Sequence, residues 1–183
     1  MEQKLYTISV FSENTVGLLS QVAIIFTRRA INIESISAST CSIEGVHKWT
    51  ITAYTTEDAV KKLVKQIEKC IDVLRVFYYT DDEVVYQEIA LYKISTPLLV
   101  SDKKVEEIIR KYNARILEIT PDYTVIEKSG HKDETEALFN ELKKYDLKQF
   151  VRSGRVTVTK STSEYVTEFL EEQEKRRLKN GRD

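Results

Sequence analysis

At 183 residues the chain has room for one large domain or two small ones of about 80–100 residues each. Its 28 basic and 29 acidic side chains leave a net charge of −1, which gives no global attraction to nucleic acid. No apolar run approaches the roughly 18–20 residues that span a bilayer, and the N-terminus shows no signal-peptide core, so the protein is expected in the cytoplasm. The two cysteines, Cys41 and Cys70, form no CxxC pair and are expected as thiols.

In chain order, Leu5 to Phe11 alternates Tyr6, Ile8 and Val10 with Thr7 and Ser9, the period of a half-buried strand. After the polar break Ser12-Glu13-Asn14-Thr15, the stretch Val16 to Arg29 spaces Leu18, Leu19, Val22, Ile25 and Phe26 as one helix face. Ile33 to Cys41 and Val46 to Tyr54 read as strands joined by a turn at Ile43-Glu44-Gly45. Thr55 with Asp58 resembles a capping box for a second helix, whose stripe is Val60, Leu63, Val64, Ile67 and Ile71. Val73 to Tyr79 closes the set as a fourth strand. The order βαββαβ predicts a ferredoxin-like sandwich, with two helices on one face of an antiparallel sheet.

A polar bridge, Thr80 to Glu83, precedes a second series. Glu88 to Ile94 reads as a strand, and Val105, Ile108, Ile109 and Tyr112 as a helix stripe. Ala114 to Thr120 and Tyr123 to Glu127 form a hairpin around Pro121-Asp122. Leu138, Phe139, Leu142 and Tyr145 mark a further helix, and Phe150 to Thr159 a last strand broken at Ser153-Gly154. The expected fold is therefore α+β, with two tandem ferredoxin-like modules over residues 1–80 and 81–160. Residues 161–183 are expected to form a charged tail, partly helical or disordered.

Catalytic signatures are scarce. The two histidines, His47 and His131, lie in opposite halves, away from any metal-ligand spacing. There is no nucleophile elbow, P-loop or GxGxxG, and the chain has only five glycines. What stands out is Ser12 to Val22 followed by Arg29 to Ser39. Gly17 falls in the first helical turn, where free N–H groups attract an anion such as an α-carboxylate. Asn14 supplies a donor and an acceptor just upstream, and Asn32, at the start of the second strand, is expected alongside. On spacing alone, a plain helix cap at Asn14 or Thr15 and a turn residue at Asn32 explain these positions better.

Asn14-Thr15-Val16-Gly17-Leu18-Leu19, then Arg29-Ala30-Ile31-Asn32-Ile33-Glu34-Ser35, resembles an ACT domain. The likeness narrows to the small, regulatory subunits of acetolactate synthase (acetohydroxyacid synthase). It continues in Asp72 to Val76, Glu88 to Ile94 and Val151-Arg152-Ser153-Gly154. The resemblance implies a chain with no catalytic residue, metal or cofactor of its own. It implies a large catalytic subunit carrying thiamine diphosphate, magnesium and FAD, which condenses two pyruvates, or pyruvate with 2-oxobutyrate, in branched-chain amino acid biosynthesis. The small subunit would activate that partner and confer feedback inhibition by valine or a related amino acid. Asn14, Gly17 and Asn32 match the family's ligand-binding positions, with backbone or apolar contacts from Leu18 and Ile33. A free-standing ACT-type sensor acting on another enzyme or on transcription is the alternative.

The family usually has glycine where this chain has Ala30. Alanine is disfavoured in a left-handed conformation by roughly 1 kcal/mol, so the first helix is expected to end differently and shift Asn32 against Gly17. The strand from Ile33 to Ser39 is an expected sheet edge without proline or lysine, and is expected to pair with its copy in a homodimer.

Overall fold

The computed structural model describes residues 2–162 and Glu171, so the charged tail expected after residue 160 lies almost wholly outside the described residues. The described residues divide into two compact units, one of residues 2–85 together with Thr157 and the few described residues after it, the other Tyr86–Val156.

The first unit is a βαββαβ module: β1 Lys4–Glu13, α1 Leu18–Arg28, β2 Ser35–Thr40, β3 Val46–Thr55, α2 Glu57–Ile67 and β4 Val73–Tyr79. Its sheet order is β2-β3-β1-β4, so β2 and β4 are the edges. Alternation along β1 sends Tyr6, Ile8 and Val10 into a core with Leu18, Val22 and Phe26 of α1 and Leu63 and Ile67 of α2. Burying one such side chain contributes about 1.5–3 kcal/mol, which is why the helices need no strong intrinsic propensity. The other sheet face is polar yet largely buried, with Thr7, Ser9, Thr50 and Thr52 all inaccessible. Thr157 lies on it: Lys48 Nζ donates to its carbonyl at 2.5 Å, and the Thr50 and Thr157 hydroxyls are 3.4 Å apart. Burial pushes the Lys48 ammonium below its usual range.

Several local expectations are corrected. Thr56, not Thr55, caps α2, accepting from the Ala59 N–H at 3.4 Å, because Thr55 is still paired in β3. Ile71 is outside the helix and fully exposed, since α2 ends at Ile67 and its core stripe ends with it. Residues Asp81–Glu83 of the polar bridge form a 3-10 turn closed by Thr80 and Glu83.

Ala30 departs most from expectation. The residue itself takes the left-handed conformation, with φ 53°. Its N–H donates to the Thr27 carbonyl at 3.0 Å, and the Ile31 N–H to the Phe26 carbonyl at 3.1 Å. This is the Schellman ending that a glycine would give. Two satisfied carbonyls and the packing of Ile31 against the core offset the local strain, so α1 does not end differently.

The second unit repeats the pattern with β5 Val84–Ser95, α3 Thr96–Ser101, α4 Lys103–Lys111, β6 Arg115–Ile119, β7 Tyr123–Gly130, α5 Lys132–Leu142 and β8 Leu147–Arg152. Its sheet runs β6-β7-β5-β8, and β9 Val156–Thr159 pairs with β5 off that path. The single last strand expected over Phe150 to Thr159 is thus two, parted at Ser153-Gly154-Arg155. Helix α3, opened by Pro97 in its first turn, has no counterpart in the first unit and was not expected. Tyr92, Ile94, Val105, Ile126, Leu138 and Leu142 form the core. The Tyr92 hydroxyl donates to the Thr135 carbonyl at 2.7 Å, and burial drives its pKa far above the usual range. The Val151 to Gly154 landmark has a structural cause. Ser153 exchanges bonds with Ile89, and Arg152 and Arg155 flank buried Glu88 at 3.3 and 3.5 Å.

Candidate effector site

β1 ends at Glu13, whose N–H reaches the Asp72 carbonyl at 2.9 Å, and the chain lifts off through exposed Asn14, Thr15 and Val16. Gly17 turns it into α1 with φ 88°, a conformation that glycine alone adopts freely. Among the described residues no side chain caps the helix, and its first turn holds no acidic residue. The Leu18 N–H makes only a long contact, 3.4 Å, with the Thr15 carbonyl. The first turn therefore presents backbone N–H groups and the positive end of the helix dipole beside Asn14, which is the arrangement that favours a carboxylate.

The apolar surroundings differ from those read in the sequence. The Leu18 side chain is sealed in the core, so Leu18 can offer only its backbone. Ile33 is half-buried against the same core. The apolar groups open to solvent at this loop are Val16, wholly exposed, and Leu19, about half so at 53%. The helical stripe groups Leu19 with the core, but Leu18, Val22, Ile25 and Phe26 fill that face and leave Leu19 at its rim.

Within one chain, Asn32 is not brought to Asn14 and Gly17. Glu13 is level with Val46, whereas Ser35 is level with Thr52 and hence with Thr7. Six residues of strand separate those levels, roughly 20 Å, and Asn32 lies beyond Ser35 at the C-terminal end of α1. The other end of β2, Thr40 opposite His47, is the one beside the Asn14 loop.

One further residue at this loop escaped the sequence reading. Ser12 is fully buried, and its Oγ has no hydrogen-bond partner among the described residues. An unsatisfied buried hydroxyl costs about 1–3 kcal/mol. No cluster of three or more metal-ligating side chains occurs among the described residues.

The first module, βαββαβ with its first helix opened on an uncapped glycine turn, has the architecture expected of an ACT domain. The match is to named families. Residues 8–75 fit the family model described as an AHAS small subunit-like ACT domain, and residues 87–161 the model of the small subunit of acetolactate synthase. The acetolactate synthase small subunit of Bacillus subtilis is 31% identical over 164 residues, covering 88% of this chain and 93% of that protein. The probable acetolactate synthase small subunit of Archaeoglobus fulgidus is 30% identical, over 85% of this chain and 96% of that protein. The crystal structure of the acetolactate synthase small subunit from Thermotoga maritima shares the fold, with a TM-score of 0.78 at 22% identity, over 87% of this chain and 99% of that one. The chain belongs to the acetolactate synthase small-subunit family. No helix among the described residues is long and apolar enough to cross a membrane.

Proposed function

We propose that this subunit binds and activates a thiamine-diphosphate-dependent acetolactate synthase catalytic subunit and makes it responsive to valine or another branched-chain amino acid. Thiamine diphosphate, magnesium and FAD belong to that catalytic partner. The observation that carries the effector site is the geometry of β2. It is an edge strand of small and hydroxyl side chains, with Ile36 partly exposed. Two copies paired antiparallel along this edge set the Ser35 end of one strand beside the Thr40 end of the other. Asn32 of one copy then lies at the Asn14–Gly17 end of the other, a meeting that a single chain does not allow. The α1 N–H groups take the amino acid's carboxylate and the two asparagines its ammonium. Val16 and Leu19 supply apolar surface for its side chain. Ligand held between two copies alters the dimer's geometry and so its hold on the catalytic subunit, a coupling of about 1–3 kcal/mol.

Calorimetry tests the site. Asn14→Ala and Asn32→Ala each lose valine binding. When the two variants are mixed and exchanged, mixed dimers hold one intact site each, restoring about a quarter of the wild-type sites for random pairing. Valine binding unchanged in both variants overturns the pocket, and no recovery on mixing overturns its placement between copies. Failure to co-purify with, or to stimulate, an acetolactate synthase catalytic subunit overturns the activating role.

A further inference from the structure

Every other β1 residue on the helix-facing side from Tyr6 to Val10 is apolar and in the core, whereas the next position on that side is a serine. Among the described residues, Ser12 Oγ is the only buried side-chain oxygen or nitrogen without a hydrogen-bond partner. Packing does not explain a hydroxyl there, because an apolar side chain of similar size would carry no unsatisfied group. The neighbouring strand β4 is also irregular beside this point, carrying one extra residue, while β1 keeps its register with β3. The β1–β4 register shifts between Phe11 and Ser12, which pair with Arg75 and Val73 and skip Leu74. Bulges of this kind re-aim side chains and gather beside functional sites. Two residues on is Asn14, and five on is Gly17, where α1 opens without a side-chain cap.

We propose that Ser12 is a ligand-contacting residue. Its hydroxyl donates to the α-carboxylate of the bound amino acid, next to the first-turn N–H groups of α1. The inference rests on the effector reading of this loop and adds a residue to it. The carboxylate reaches the hydroxyl through the exposed Glu13–Gly17 segment, the one part of the β1–α1 connection outside the core. Binding then supplies the partner that the ligand-free chain lacks.

The test uses full-length Ser12→Ala, Ser12→Cys and Asn14→Ala, with valine as the probe. Thermal unfolding without ligand and calorimetry with ligand are both measured. Ser12→Ala is expected to be at least as stable as wild type without ligand and to bind valine about tenfold more weakly, the loss of one hydrogen bond to a charged group. Ser12→Cys, with a weaker donor of similar shape, falls between the two. Lower ligand-free stability with unchanged affinity makes Ser12 a structural group and overturns the inference. Loss of binding in Asn14→Ala alone also overturns it while leaving the effector site standing. Weakening in Ser12→Ala but not in Asn14→Ala upholds Ser12 and overturns the role of Asn14. A wild-type chain that binds no amino acid overturns both.

Discussion

Helices α1 and α4 hold the same place in the two repeats, yet they differ at one end and agree at the other. Both finish in a Schellman ending on a left-handed residue that is not glycine. That residue is Ala30 after α1 and Asn113 after α4, with φ 53° and 49°. The Ala114 N–H reaches the Ile109 carbonyl at 3.0 Å, as the Ile31 N–H reaches that of Phe26 at 3.1 Å. Their beginnings diverge. Asp102 caps α4, its Oδ1 accepting from the Lys104 N–H at 2.9 Å. Gly17 leaves α1 with no such bond. A cap contributes about 1 kcal/mol, so α1 forgoes stability that its twin α4 keeps, at the loop proposed as the effector site.

Replacing the caps breaks the comparison most strongly. Asp102→Ala is expected to lower stability by about 1 kcal/mol. Thr15→Ala, at the uncapped helix, changes it by less than about 0.3 kcal/mol, since no bond is lost. Urea titrations of both variants decide the point, and equal losses would show that α1 has a cap in solution.

The helix ends sharpen it on a smaller scale. Ala30→Gly relieves a left-handed alanine, roughly 1 kcal/mol, against the added freedom of glycine in the unfolded chain, for a net gain of about 0.5 kcal/mol. Asn113→Gly gains less, because asparagine tolerates this conformation. Paired thermal melts check the order of the two.

The smallest effect is electrostatic and confined to the second unit. Glu141 accepts bonds from Lys111 and Tyr112 at the end of α4, at 2.7 and 2.8 Å, and these hold its carboxyl below the usual range. The same pairing raises the Lys111 ammonium and the Tyr112 phenol. A depressed carboxyl contributes stability that is present above its unfolded pKa and lost as pH falls through the folded one. Glu141→Gln is therefore expected to lower stability slightly at neutral pH, to flatten the acid limb, and to leave stability below the folded pKa almost unchanged. An unaltered acid limb would show that this exposed pair is screened out.

Much of this was legible from periodicity. The strands from Tyr6 to Val10 and Trp49 to Ala53, and the stripe from Val60 to Ile67, declared their buried faces because each alternates or repeats cleanly. Ile71 did not, since it continues the spacing after the hydrogen-bonded helix has stopped. Helix α3 was hidden because six residues around Pro97 are too few to show a period. The unmatched position of Asn32 was hidden for another reason. Local spacing shows that two segments flank one helix, but the helix runs antiparallel to the strand and carries its two ends to opposite poles. Ser12 was silent because a serine at the end of a strand looks like a turn residue until its burial is known.

The crossing of Thr157 over the first sheet has a consequence for synthesis. The bond from Lys48 to Thr157 spans 109 positions in sequence. Residues up to Tyr79 can pair all four strands as they emerge, but Thr50 and its neighbours wait for a segment made after the whole second unit. At about 5–20 residues per second, that delay is several seconds. During it, Lys48 and Thr50 lack their Thr157 contacts on the nascent chain, so the first module to begin folding is completed only after the second has been made.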